Sequence, residues 1–450
     1  MTDVLIVGAG PAGIRAAEAL VKAGVKPVVV DEGMRAGGQI YRRPPAGFTR
    51  SGEQLYGREA AKAQALHACF DQLVAQQQLS YLPQSSVVAL HKGSAHVLTP
   101  DGLRHLPYDR LLLATGATDR LAPVPGWQSA GVYSLGATQI ALKSQGVAMG
   151  RRIVLAGSGP LLTLVAVQLI KAGASVAAVL DTASLRDQLF GGVQMAVARP
   201  WVTLHGMRMR AQLGRIYHAG VSGLRIETDA TGPTQVRWRD RRGQARETDC
   251  DTVGLGWHVM ADTPLSELAG ATLGWSDIWA QFLPVSDRFG RAGEGLYLAG
   301  DGLQILGADG AEIAGRLAAV ACLTDMGIAA QVSPTDLRDL ARMRRFAKGV
   351  ARAFPWPQRQ MDSLPAETIV CRCEGVTAAD IRAATQQVGP EINRVKSQCR
   401  AGMGRCQGRY CQRATQSVIA AQSGTTPDAV GRLRAQPPVR PLPISALLKQ

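Results

Sequence analysis

Residues 4–31 read VLIVGAGPAGIRAAEALVKAGVKPVVVD, and this stretch decides the fold. The apolar run at 4–7 meets Gly8, Gly10 and Gly13 in the order G-x-G-x-x-G. A helix-forming segment then runs on towards Gly24, and a second apolar run, VVV, fills 28–30. Short apolar runs joined by amphipathic helices predict parallel strands covered on both faces, an α/β arrangement. Gly8 permits the tight turn, Gly10 lets the backbone approach a pyrophosphate, and Gly13 lets helix and strand pack closely. The helix that opens at Pro11 and Ala12 offers free N–H groups and a positive dipole end to phosphates. Asp31 stands eighteen positions after Gly13 at the end of the second strand, where a carboxylate can accept hydrogen bonds from ribose hydroxyls; Glu32 is its neighbouring candidate. A turn that binds nothing is the plain alternative, and the full strand–turn–helix–strand–acid context speaks against it.

A second unit follows at 152–181, RIVLAGSGPLLTLVAVQLIKAGASVAAVLD. Gly157 and Gly159 repeat the first half of the motif, but Leu162 occupies the place of the third glycine. That side chain is expected to push helix and strand apart. Asp181 could still hold a ribose. Three readings stand open: a working NAD(P) site, a site for another adenine nucleotide, or a retained scaffold, with the latter two favoured together.

A chain of 450 residues predicts about two to four domains. The expected division is a discontinuous first domain at 1–122 and 285–330 and a second nucleotide-type domain at 123–284. A helical linker at 331–366, a cysteine-rich domain at 367–424, and a helix and extended tail at 425–450 complete it. The prolines of PPVRPLPISALLKQ rule out a regular helix there. The apolar fraction of 46% is that of a globular chain with ample core. No basic segment precedes the first strand and no run of about 18 apolar residues occurs, so a soluble, cytoplasmic protein is expected. The formal charge of +15 is concentrated around Arg338, Arg342, Arg344, Arg345, Lys348 and Arg352, which read as one helix. Without interleaved aromatics this suggests a solvated or subunit-docking face, and no nucleic-acid binding is expected.

Five of the eight cysteines fall between 371 and 411. Cys371 and Cys373 form C-x-C, and Cys406 and Cys411 follow after a helix whose start is capped by Thr377 and Asp380. Clustering in a chain read as cytoplasmic argues for metal over disulfides. Cysteine-only ligation suits zinc or iron–sulfur, and the C-x-C spacing favours iron–sulfur. Cys399 is the odd one, read as a buried free thiol. Arg372, Arg405 and Arg409 lie among the proposed ligands and would raise the potential of an anionic cluster. No C-x-x-C exists, and no cysteine lies near GGQIYR (37–42), so disulfide reduction is not expected.

Three further segments carry a resemblance. LLLATGA (111–117) resembles the Thr-Gly turn of two-dinucleotide-binding-domain flavoproteins of the glutathione-reductase-like type, and LYLAGDG (296–302) resembles their distal flavin motif. GGQIYR sits where such proteins pass the chain beside the cofactor. The resemblance implies FAD, touched by Gly38, Gln39, Thr115, Gly116, Gly300 and Asp301, with a helix opening around Gly310 and Ala311. Together with GSGPLLTLVA and CRCEGVT…GMGRCQGRYC, the chain resembles the FAD-containing A (alpha) subunits of opine oxidases, D-hydroxyproline dehydrogenase and hydrogen cyanide synthase. L-proline dehydrogenase alpha subunits are further relatives. Its C-terminal part resembles bacterioferritin-associated ferredoxin domains, a small helical [2Fe–2S] fold, implying [2Fe–2S] on Cys371, Cys373, Cys406 and Cys411. The family implies a hetero-oligomer in which a D-amino-acid-oxidase-like flavoprotein and a small [2Fe–2S] subunit join this chain. FMN at the interface between subunits and an adenine nucleotide in the second domain are variations it implies. The partner would oxidise a secondary amine or imino acid, and this chain would carry the electrons. No His or Lys stands among motif residues that would name it a catalytic base. Two other readings are a self-sufficient NAD(P)H oxidoreductase and a scaffold with vestigial cofactors.

Overall fold

The computed structural model describes residues 2–45, 47–48 and 50–447, so the last three residues of the expected tail lie outside the described residues. An eight-stranded sheet organises the first domain, with Thr2–Val7 at its centre. Val28–Val30 and Ser80–Leu82 lie to one side, Gly102–Leu113 and Leu296–Leu298 to the other, all parallel. Their register brings the ends together: Val7 pairs with both Val30 and Leu113, Val30 with Leu82, and Leu298 with Leu113. Gly8, Asp31, Ala114 and Ala299 therefore leave the sheet at one edge. The chain winds away from the central strand in both directions, and that switch point is where open α/β sheets bind ligands.

A second sheet has five strands, all parallel, in the order Tyr217–Ala219, Ser175–Asp181, Arg152–Ser158, Thr252–Trp257 and Val132–Ser134. An antiparallel meander, Ser222–Thr228, Pro233–Arg239 and Ala245–Asp249, is inserted before the Thr252–Trp257 strand. The chain leaves the first domain through Ala117–Asp119 and returns through Val259–Ala261, and these two segments pair antiparallel. Beyond the return, Leu265 and Ala271 already pack in the first domain's core.

The cysteine-rich region does not stand apart. Trp127, Trp238 and Trp257 of the second domain share one continuous core with Trp356, Met361, Val370, Ile381, Val395 and Ile419. The indole N–H of Trp127 donates to the Ile369 carbonyl at 2.6 Å, on the strand that ends at Cys371. In the tail, the Val439 amide donates to the Val88 carbonyl at 2.9 Å, and the tail lies on the first domain. No helix among the described residues is long and apolar enough to cross a membrane.

The arginine-rich segment is the helix Pro334–Ala353, capped by Ser333. Leu340, Ala347 and Ala351 bury its apolar face, while Arg338, Arg342, Arg345, Lys348 and Arg352 lie outside that packed face. Its last turn meets the helix Leu185–Ala198 backbone to backbone. A methyl at Gly191 would sit 2.4 Å from the Ala353 amide nitrogen and 2.5 Å from the Gly349 oxygen, whereas nothing lies within 4 Å of one at Gly192. Gly191→Ala should destabilise the fold by about 1–3 kcal/mol. Gly192→Ala should be neutral or stabilising by up to about 1 kcal/mol, compared by chemical denaturation.

Candidate functional site

The first glycine turn forms as its spacing demands. Gly8 has φ +105°, and a Cβ on Gly13 would lie 1.8 Å from the Gly8 carbonyl oxygen. No side chain could occupy that place without separating strand from helix. The helix Pro11–Lys22 follows, with Pro11 in its first turn. The other predicted segments converge on it. Gly37 donates its amide to the Ala9 carbonyl at 2.8 Å, and a Cβ on Gly38 would lie 2.9 Å from Gly10 Cα. Gln39 is exposed beside them. A Cβ on Gly300 would lie 2.9 Å from the Ala12 methyl and 3.5 Å from that of Ala311. One on Gly302 would lie 2.4 Å from Thr115 Oγ1 and 3.2 Å from the Gly116 amide nitrogen. Four stretches distant in sequence thus meet at the switch point, where this class of sheet has its ligand crevice.

Both oxygens of Asp31 accept backbone N–H groups, Oδ2 from Ala9 at 2.5 Å and Oδ1 from Gly33 at 2.6 Å. Burial pushes this carboxyl up and the two amides oppose it. Each oxygen keeps a second lone pair for an outside hydroxyl. Glu32 instead accepts from the Arg440 guanidinium at 2.6 Å. Asp301 Oδ1 accepts the amides of Leu306 and Gly307 at 2.9 and 3.1 Å. That bond corrects one expectation: the helix opens at Gly307, a turn before Gly310 and Ala311, because Asp301 caps it from upstream.

The second turn is built differently. Gly159 takes φ +114°, where its counterpart Gly10 has φ −79°. The Leu162 amide then donates to the Gly159 oxygen, a tighter start than the Ile14-to-Gly10 bond of the first helix. Leu162 is fully buried among Leu135, Leu155 and Val179, so the turn is re-shaped around it. The motif leaves Asp181 free for a ribose, and the fold does not. It is 1% exposed and accepts from Ser158 Oγ (2.8 Å), the Ala183 amide (2.8 Å), Tyr217 Oη (2.6 Å) and Gln188 Nε2 (3.3 Å). Four donors occupy the lone pairs of a carboxylate.

In the cysteine region the thiols pair across the two segments. Cys371 neighbours Cys411, and Cys373 neighbours Cys406. The amides of Gly402, Glu374 and Cys373 also point at Cys371, and those of Tyr410 and Gly408 at Cys406. The neighbouring Cys411 thiol chiefly, with these amides, pulls the Cys371 thiol down to about 6 against its burial. A Cβ on Gly404 would lie 2.3 Å from the Cys373 Cβ, so only glycine lets the loops close. Among the described residues no group of three or more His, Cys, Asp or Glu is gathered to hold one metal ion. The four thiols nonetheless face one another across the two segments, Cys411 lying near Cys371, Cys406 and Cys373. Cys399 packs against the core outside both pairs.

A cavity of about 490 Å³ opens beside the thiols, walled by Leu121, Trp127, Tyr133 and Ala137. Arg372 lies over the Trp127 ring at 5.1 Å. The loop is joined to the first crevice: Tyr410 lies beside Thr118, and Arg409 pairs with Asp262 at 3.4 Å. The Asp262 carbonyl in turn accepts from Thr115 Oγ1 at 2.8 Å. Nothing in the sequence marks Asp262 or Arg440, which belong to no motif.

Burial lifts the Asp181 carboxyl from 3.8 to about 6, against its hydrogen bonds. The native state then holds this proton more tightly than the unfolded chain. The contribution is therefore full in acid and is lost as pH rises through about 6. Asp181→Asn should remove that component from the pH dependence of the unfolding temperature between about pH 4 and 7.

Residues 2–304 match the family described as pyridine nucleotide-disulphide oxidoreductase, and residues 366–449 match the sarcosine oxidase A3 domain. The chain is 36% identical to the A (alpha) subunit of opine oxidase from Rhizobium meliloti, over 99% of this chain and 87% of that protein. It is 34% identical to hydrogen cyanide synthase subunit HcnB of Pseudomonas aeruginosa, over 98% and 97% of the two chains. Among solved structures, L-proline dehydrogenase from P. horikoshii shares the fold with a TM-score of 0.72 at 20% identity, over 99% of this chain and 79% of that one. On these matches the chain belongs to the pyridine nucleotide-disulphide oxidoreductase family, among the relatives of the opine oxidase A (alpha) subunits.

Proposed function

We propose that this oxidoreductase chain is the FAD- and [2Fe–2S]-containing, electron-transferring subunit of a heteromeric amine dehydrogenase or oxidase. Its substrate would be a secondary amine or imino acid of the opine or D-hydroxyproline kind. The amine is oxidised in a D-amino-acid-oxidase-like partner, and a small [2Fe–2S] subunit and an FMN at a subunit interface complete the cytoplasmic complex. Two relatives, each named as one subunit of a larger enzyme, support a hetero-oligomer. The observation that carries the reading is four thiols lining one cavity, on a loop that Arg409 ties by an ion pair to Asp262 at the edge of the first crevice.

In this reading Gly8, Gly10 and Gly13 admit the FAD pyrophosphate, and the N–H groups of the Pro11–Lys22 helix bind it. Asp31 takes the ribose. Asp301, whose amide bonds fall on Oδ1 alone, offers its other oxygen to the ribityl chain. Cys371, Cys373, Cys406 and Cys411 ligate the cluster, with amide N–H groups directed at Cys371 and Cys406. Bound there, FAD supplies two-electron exchange and the [2Fe–2S] cluster one-electron exchange. The occupied Asp181 and the reshaped Gly159 turn support a second domain that does not serve as a nicotinamide site.

The purified chain should contain FAD, iron and acid-labile sulfide. Serine at any of Cys371, Cys373, Cys406 or Cys411 should lower iron content several-fold, while Cys399→Ser should leave it unchanged. Anaerobic NADH or NADPH should leave the flavin absorption band intact. Rapid bleaching would sink this assignment in favour of a self-sufficient NAD(P)H oxidoreductase.

A further inference from the structure

Lys143 is 6% exposed, and no carboxylate among the described residues pairs with it. Its one hydrogen bond there runs from Nζ to the Ile40 carbonyl at 3.3 Å. An ammonium carries three donors, so two are left without partners among the described residues. The buried Arg120, by contrast, donates to the Trp257 and Trp279 carbonyls at 2.7 and 3.1 Å and lies against the Trp356 ring. A buried charge with so little compensation is costly and normally persists where something outside the chain completes it.

Two features of its setting point to what that is. The helix Leu135–Ile140 passes into a π-helical turn at Ala141–Gln145, which carries Lys143. Such turns are rare and concentrate at functional positions. The turn is fixed against the first domain, with Arg50 donating to the Leu142 carbonyl at 3.2 Å. Its bond to Ile40 reaches the segment whose Gly37 and Gly38 press on Ala9 and Gly10, the wall of the first crevice. At the other end of the same helix, Ser134 and Ala137 line the cavity beside the thiols. One short helix therefore spans from the cysteine cavity to the crevice.

We propose that Lys143 is the charge partner of the flavin: its ammonium, held at the crevice wall by Ile40, stabilises the negative charge that the isoalloxazine ring gains on reduction. The inference rests on the FAD reading given above. Two electrons, drawn from the amine oxidised in the partner, and one proton leave the ring with a single negative charge. A fixed cation beside it favours that state. Burial alone brings the ammonium down to about 8, which keeps it charged at neutral pH.

The test uses the flavin-loaded chain, its FAD content measured first, with sodium sulfite as the probe, because a positive charge near the ring strengthens sulfite binding. Lys143→Met and Lys143→Gln should each bind sulfite at least about tenfold more weakly. Their flavin midpoint potential should fall by about 30 mV, the equivalent of tenfold for a two-electron couple. Lys143→Arg should recover part of both. Thermal stability should hold or rise, since an uncompensated buried charge is removed. Sulfite affinity and potential within twofold and a few millivolts of the parent in both neutral variants would overturn the role of Lys143 alone. A parent chain that carries no FAD would overturn the FAD reading and this inference together.

Discussion

Asp262 is the residue through which the parts of this molecule hold one another. Its amide donates to the Gly116 carbonyl at 3.0 Å and its carbonyl accepts from Thr115 Oγ1, fastening the returning chain to the edge of the first crevice. Its carboxylate, 10% exposed, receives Arg440 of the tail at 2.8 Å and Arg409 of the cysteine loop at 3.4 Å. Arg440 reaches on to Glu32, beside Asp31. A nearly buried carboxylate between two guanidinium groups is held by mutual compensation, and losing it would leave Arg409 without its ion pair and Arg440 with Glu32 alone. The crevice, the cysteine loop and the tail meet at that one side chain.

Much of the first crevice was legible in the sequence because its chemistry is local. A strand, three glycines and a helix start close together fix their own geometry, and Gly8 and Gly13 are where steric argument puts them. What the spacing could not show is how distant segments share donors. The cysteines read as two sequential pairs, Cys371 with Cys373 and Cys406 with Cys411. In space each pairs with a member of the other segment. Cys371 ends its strand and Cys373 lies in the turn that follows, so C-x-C alone cannot dictate which thiol each member meets. The motif marks Asp301 as a ligand contact. Its second task, capping a helix that opens several residues later, depends on a loop whose path the sequence leaves open.

The two glycine turns show how far one residue propagates. Glycine at 13 lets helix and strand touch, whereas Leu162 fills the same place with a side chain that becomes core. The backbone answers at Gly159, which moves into the left-handed region, and the helix opens on a tighter bond. Asp181 then turns inward to Ser158, Tyr217 and Gln188, and these bonds hold the reshaped turn. A pattern-level likeness between the turns conceals two different surfaces. Lys143 was invisible for a related reason: a lysine between Leu142 and Ser144 reads as an ordinary exposed cation until the π-turn folds it inward.

The core shared by Trp127, Trp257, Trp356 and the helices of the cysteine region makes the second domain and the thiol site one mechanical body. That body is fastened to the first domain not by apolar packing alone but by ion pairs, Arg199 with Asp309 and Arg409 with Asp262. Any rotation between the two nucleotide-type domains would carry the four thiols with it and change their separation from the crevice. On the reading proposed above, the distance an electron travels inside this chain is governed in part at a charged seam, which salt weakens.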